Sequence, residues 1–382
     1  MSLRHERSTQ VLRIAAQFPI RGKECTLSMI KKLPIEIKNV KIMSECWTFN
    51  KVAIIQTSKY ADAWLASHFN LLIDSSNSIY FGEWLRQYSS MYYDDILSIN
   101  CIDFKSMREV EIIEVIKHYI DNGNYVSIIS NWDLQNKEIP SFHEILIYGY
   151  NDEEKVFYAP LMENRIFRET EVSFSHINKW LVPTKEYLKN LGQTFYTMEY
   201  QHPMAIYTLK DNYVTDSCAY MALRKIDYES WGVQLTRSIL SEYMTVYDAP
   251  KHFTGIACLT GLRDILYSLQ NNIPLPAHFM GLTNTIRKLY EHRGLLLLSM
   301  KYIINAWDIK NDIAVSCIDA YDLCYKNIEK WLSMSLKYEQ TQDESILNRI
   351  HGEIFSEFSS EAKILREFYN NCIHLQDFAL NI

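Results

Sequence analysis

Apolar and polar positions change their spacing twice along the chain. From Lys51 to Leu72, apolar residues including Ala53, Ile54, Trp64, Leu65 and Leu71 recur at helical spacing, which predicts one or two helices. Met107 to Asp121 repeats the pattern. Val110, Ile113, Val115, Ile116 and Ile120 form its expected buried face, and Asn122-Gly123-Asn124 its stop. The period then shortens. Tyr125 to Ser130 (YVSIIS) is β-branched and bounded by turn residues. His143 to Tyr150 (HEILIYGY) reads as a strand, followed by the turn Asn151-Asp152 and a further strand, Lys155 to Tyr158, which together predict an antiparallel meander. A short helix is expected near Ser173 or Ser175, and His202 to Leu209 as a last strand returning to the sheet. From about residue 250 the spacing is helical again, over Thr254 to Leu269, Leu275 to Ala306, Ile313 to Tyr338 and Ser345 to Tyr369.

This order predicts an α+β domain over 1–210, a mixed connection over 211–250 and a helical bundle over 251–382. A chain of 382 residues is long for a single hydrophobic core, which agrees with two domains. Composition narrows the function classes. The net charge of -7 comes with scattered Lys and Arg and no basic stripe, so nucleic acid is not an expected partner. The longest apolar runs, such as Gly294 to Met300, are too short to span a bilayer, and the charged start MSLRHERSTQ has no apolar core of a secretory signal. A cytoplasmic protein without a membrane partner is expected. The 26 tyrosines are read as core and strand residues, or as a surface for a homodimer.

Eight cysteines stand at 25, 46, 101, 218, 258, 317, 324 and 372, with no CxxC pair and no Cys/His spacing for zinc. No metal or cofactor is expected, and no GxGxxG or phosphate loop is present. Cys46 is singled out by its place, since SECWTFNKVAII passes directly into a helix. A thiol at a helix start lies near backbone N–H groups and the positive end of the dipole, both of which favour the thiolate. The same residues also describe a buried cysteine packed beside Trp47. His143 opens a strand far along the chain, the usual way in which a Cys/His pair assembles in space; it also fits an ordinary histidine at a sheet rim. Asn131 and Trp132, with Asp133, follow the YVSIIS strand as a candidate substrate-facing loop. Glu291 and His292, in Leu289-Tyr290-Glu291-His292-Arg293, read either as lining a cleft or as a buried hydrogen-bonded anchor. Gly255 and Gly261 are read as close helix packing.

SECWTF, YVSIISNWD, SFHEILIYGYND and KVFYAP together resemble the butirosin biosynthesis protein H-like family, papain-like cysteine-peptidase-fold proteins associated with nonribosomal peptide and polyketide machinery. IRKLYEHRGLLLLSMKYI is similar to the helical half of that group. The resemblance implies a papain-like domain followed by an all-α domain, and an acyltransferase. Cys46 would take an acyl or peptidyl group from a carrier-protein thioester, His143 would shuttle protons, and an amine acceptor would resolve the thioester to an amide. Trp47, Asn131, Trp132 and His292 are the substrate-contacting candidates on this reading. Two departures stand out. Where the pattern has an Asp or Asn before Pro160, this chain has Ala159, so the third role falls to a nearby polar residue, Asn164 or Glu163. No glutamine stands between residues 18 and 55 to serve an oxyanion hole upstream of Cys46. The departures leave open a catalytically degenerate papain-fold binding or scaffold protein, and papain-like domains also include peptidases and peptide cyclases.

Overall fold

The computed structural model describes residues 30–73, 79–81, 92–102, 109–131, 142–163, 166–177, 204–231, 234–235, 252–275 and 281–375. The first elements in chain order are β1 (Ile30–Lys32), α1 (Cys46–Ile55), α2 (Ala61–Ser67), β2 (Leu71–Ile73), β3 (Ile79–Phe81), β4 (Leu97–Ile102) and α3 (Glu109–Asp121). β5 (Tyr125–Asn131), β6 (Phe142–Ile147), β7 (Gly149–Asn151), β8 (Val156–Glu163), β9 (Ile166–Ser173) and β10 (Met204–Leu209) follow. The remainder comprises α4 (Cys218–Trp231), β11 (Gln234–Leu235), β12 (His252–Thr254), α5 (Cys258–Gln270), α6 (Leu282–Ala306), α7 (Asp312–Thr341) and α8 (Glu344–Cys372). The fold is α+β.

The chain divides into two compact units, and the division is not continuous in sequence. Residues 1–38 and 93–210 supply one unit, and 39–92 with 211–382 supply the other. Residues 39–92, including the Cys46 helix, are grouped with the helical region.

In the first unit, β1-β7-β8-β9 and β4-β10-β5-β6 are four-stranded antiparallel sheets. The predicted meander is divided between the two sheets, with β5 and β6 paired in one and β7 and β8 in the other, and β10 takes a central position between β4 and β5. HEILIYGY is not one strand, however. It breaks at Tyr148: β6 pairs with β5, from Val126 opposite Ile147 to Asn131 opposite Phe142, whereas β7 pairs with β1 and β8. Gly149 explains the local chemistry of the break. A Cβ there would sit 2.4 Å from the Lys31 carbonyl oxygen, so only glycine lets β1 come alongside. Gly149→Ala is expected to cost about 1–3 kcal/mol, by overpacking against backbone that cannot move aside. A urea midpoint equal to that of the parent chain would remove this explanation.

In the second unit, α2, α4, α6, α7 and α8 share one core, in which Ala66, Leu223, Ile226, Leu296, Met300, Tyr321, Leu365 and Phe368 are buried together. A small antiparallel sheet, β11-β12-β2-β3, belongs to the same unit. The two longest helices start where capping chemistry allows. Asn311 accepts hydrogen bonds from the N–H groups of Ile313 and Ala314, and Asp343 accepts one from Ser345. Gln342, at φ 55°, reverses the chain between them. Residues 211–250 contain more than a connection: α4 is a 14-residue helix within this unit. Gly255, at φ 58°, is a close-approach glycine as expected, since a Cβ would lie 2.5 Å from the Glu229 carbonyl oxygen on α4.

Candidate active site

α1 begins at Cys46, as the sequence pattern predicts. Glu45 precedes it in extended conformation, and the Glu45 carbonyl accepts the first helical hydrogen bond from Phe49 N–H at 2.8 Å. From Thr48 to Ile55 every residue is buried; only Cys46 and Trp47, at the start, are partly exposed. A helix buried all round has no polar face to offer a ligand, so its accessible chemistry is confined to its first turn. Gln56, at the other end, accepts from the Lys41 N–H at 2.8 Å and donates to the Asn39 carbonyl at 3.1 Å, which ties down the loop that leads back to Cys46.

The residues just before Cys46 are held by α6. Lys288 and Glu291 stand one turn apart on that helix and so project from one side. Lys288 Nζ lies 2.6 Å from Glu45 Oε1, and both side chains are almost wholly out of water. The other Glu45 oxygen accepts from the Thr48 hydroxyl at 3.1 Å. Glu291 accepts from Met43 N–H at 3.0 Å, from Ser44 N–H at 3.2 Å and from the Ser44 hydroxyl at 2.5 Å. Two backbone donors on one carboxylate, flanking a buried ion pair, fix the path of the chain into the helix.

Successive residues of Leu289-Tyr290-Glu291-His292-Arg293 serve different neighbours. Tyr290 stacks on Tyr325 of α7 at 4.7 Å. His292 is fully buried, with Nε2 3.4 Å from a Glu229 oxygen on α4 and Nδ1 3.2 Å from Arg293. Burial holds its imidazole below the ordinary value, against the pull of Glu229. Arg293 meets Glu361 of α8 at 2.9 and 3.1 Å, and Tyr321 of α7 donates to the same carboxylate at 2.8 Å. The buried-anchor reading of this segment describes these contacts. His292, named above as a substrate contact, is fully buried in this structure, between Glu229 and Arg293.

Lys225 of α4 extends the buried polar set. Its ammonium donates to the carbonyls of His68 at 2.6 Å and Ala66 at 3.4 Å and contacts Ser299 at 3.2 Å. Burial lowers its pKa to about 7. Burial raises the Glu291 pKa from 4.5 to about 7, although the hydrogen bonds from Ser44 and Met43 favour the anion. The signs follow from linkage. Glu291 binds a proton more tightly when folded, so its contribution to stability is full below its unfolded pKa of 4.5 and is lost as pH rises through about 7. Lys225 binds one less tightly when folded, so its contribution is full above 10.5 and is lost as pH falls through about 7. Glu291→Gln is expected to flatten the decline of melting temperature between pH 4.5 and 7. Equal slopes in parent and variant across that window would show that Glu291 does not titrate there.

In the first unit, His143 is the second residue of β6 and lies opposite Ser130 in the ladder with β5. Ile145 and Ile147, the apolar positions expected with it, are buried. Glu144, the next residue, is also buried and accepts from the Ser127 hydroxyl at 2.8 Å and the Tyr207 hydroxyl at 2.6 Å. Asn131 ends β5 opposite Phe142 in the ladder. Ala159 is buried on β8 opposite Thr170 and offers no hydrogen-bonding group to an imidazole. Asn164 and Trp132 lie outside the described residues, as does Asp133. Cys46 and His143 belong to different units. Among the described residues, no group of three His, Cys, Asp or Glu side chains is arranged to hold a metal, and no helix is long and apolar enough to cross a membrane.

No family model and no curated protein matches the sequence.

Glu45, Lys288 and Ser44 were not singled out from the sequence. Lys288 and Glu291 at i and i+3 were visible on a helix, but their partners lie about 240 residues away, beyond any local pattern.

Proposed function

We propose that the chain is an acyltransferase with Cys46 as nucleophile, related to the butirosin biosynthesis protein H-like family and papain-like in its first half. The observation that carries the reading is the position of Cys46. It is the first residue of a buried helix, partly exposed, with its lead-in turn bonded to α6. A helix start favours the thiolate and offers N–H groups toward charge developing on an attacked carbonyl. The Cys46 sulfur attacks the carbonyl of a carrier-protein thioester, the carrier thiol leaves with a proton, and the acyl group stays on Cys46. An amine then attacks that thioester, releasing the amide and restoring the thiol. The reading needs a base that takes the thiol proton, returns it to the leaving sulfur and later accepts the proton of the amine, and the family resemblance implies His143 for that role. Both steps exchange one acyl bond for another, so no oxidant, metal or cofactor is required.

The test is intact-mass analysis of the chain after mixing with an acyl-carrier thioester and no amine. An added acyl mass on the peptide containing Cys46 is expected, and it should disappear when an amine acceptor is supplied. A chain that gains no mass, with a donor that other transferases accept, overturns the reading.

A second reading has one observation in its favour. Ala159 fills a buried position where the family pattern places an orienting Asp or Asn. A papain-like protein without that group is suited to bind a carrier-tethered acyl or peptidyl chain without turning it over. Retention of the carrier complex with no mass added to Cys46 distinguishes it.

A further inference from the structure

We propose that Glu291, with Lys288, is a positioning residue for the Cys46 thiol: α6 sets the geometry of the nucleophile turn from outside it. The proposal rests on the acyl-transfer reading for its purpose, but its geometry stands within one unit. Local contacts at the start of α1, the Glu45 carbonyl on Phe49 N–H and the Glu45 side chain on the Thr48 hydroxyl, leave residues 43 and 44 to partners elsewhere. The side chain of Glu45, in the capping position, makes no capping hydrogen bond to the helix and is directed instead to Lys288 and the Thr48 hydroxyl. The work of fixing residues 43–45 passes to α6, through the Glu291 carboxylate on the Met43 and Ser44 N–H groups and through Lys288 on Glu45. All these side chains except Ser44 are buried, so the contacts are shielded from competing water.

This arrangement differs from a plain structural anchor in what it holds. Arg293 and His292 join helix to helix, whereas Glu291 bonds main chain two and three residues from a thiol. Releasing those two N–H groups frays the first turn of α1, where the dipole and the N–H groups act on Cys46, and that influence fades within one turn. The charged and titratable groups around Glu291 are Arg287, Lys288 and His292 on α6, and Glu45 on the lead-in turn. None of them replaces a carboxylate as acceptor for two adjacent N–H groups.

The test is the pH dependence of iodoacetamide alkylation at Cys46 in the full chain, followed peptide by peptide, with Cys101 as an internal reference because it too is partly exposed. Glu291→Ala is expected to shift the half-ionisation of Cys46 upward by about one unit, making it about tenfold slower to alkylate at neutral pH. Glu291→Gln keeps one acceptor oxygen and is expected within about threefold of the parent. Hydrogen exchange at Met43 and Ser44 should accelerate in the alanine variant. A Cys46 profile that superimposes on the parent's while those amides exchange faster overturns the proposal, since the turn is then released without consequence for the thiol. If Glu291→Ala does not fold, Ser44→Ala carries the test: about threefold slower alkylation is expected, and an unchanged rate overturns it. Failure of the parent chain to take up an acyl group bears on the transferase reading alone, and an unchanged profile in the variants bears on the clamp alone.

Discussion

Cys46→Ser is expected to lower acyl transfer by about three orders of magnitude or more while the chain still folds. Serine is smaller by little, and position 46 is partly exposed at a helix start, where a hydroxyl is well tolerated. The helix start can bring a thiol toward ionisation near neutrality, but it cannot do so for a hydroxyl, whose intrinsic acidity is far weaker. The serine variant should therefore keep its melting temperature and lose the acyl adduct. His143→Ala is expected to be gentler, at about 10²–10⁴-fold, which is the usual range for removing a general acid–base. Its two steps should also separate. Adduct formation draws on a thiolate already favoured by the helix start, whereas aminolysis needs a base for the incoming amine, so acyl-enzyme should accumulate in the histidine variant. Transfer by Cys46→Ser within about tenfold of the parent would end the nucleophile assignment.

The elements that could be read in advance were those whose burial follows one clear period. α7 and α8 carry their apolar stripe over 30 and 29 residues, and Asn311 and Asp343 mark their starts. β5 is a short β-branched run between turns, and β10 is a similar run at a central strand. α4 was hidden because its buried face includes Lys225 and Glu229, two charges that break an apolar stripe in sequence and are satisfied only by partners elsewhere. β9 was hidden for the opposite reason. Only Phe167 and Val172 of its eight residues are buried, and its place is set by pairing with β8. The break in HEILIYGY depends on β1 arriving beside Gly149, and nothing near Gly149 in the chain announces that strand.

The candidate site divides along the same line. Cys46 was legible because a helix start is local, and so was the polar character of LYEHR. What LYEHR does was not legible, because each of its side chains is explained by a residue on a different element: Ser44 before α1, Glu229 on α4, Glu361 on α8. Read one at a time, Glu291 and His292 were interchangeable candidates for a cleft. Both are buried, and their partners separate them: Glu291 bonds the main chain beside a partly exposed thiol, and His292 lies against Glu229 of α4.

Arg293→Met is expected to destabilise the chain by about 3–5 kcal/mol, because it leaves the buried Glu361 carboxylate without its cation. Both side chains of the pair are about 1% exposed, so water cannot take the place of the guanidinium. Tyr321 still donates one hydrogen bond, but a single phenol does not neutralise a charge in the interior. For a helical unit of this size the loss corresponds to a fall in melting temperature of roughly 6–20 °C. The physical reading predicts more than the loss. Removing the anion as well, in Arg293→Met with Glu361→Leu and Tyr321→Phe, should recover most of it, since a buried ion pair stabilises little beyond what an apolar replacement of similar volume provides. A residue that instead served substrate would show the reverse pattern, with unchanged melting in Arg293→Met and no recovery of transfer in the triple variant. Because Arg293 lies two residues from Glu291 on one helix, the pair of measurements also separates two jobs of the same segment: Arg293 fastens α6 to α7 and α8, and Glu291 extends that rigidity to the turn that carries Cys46.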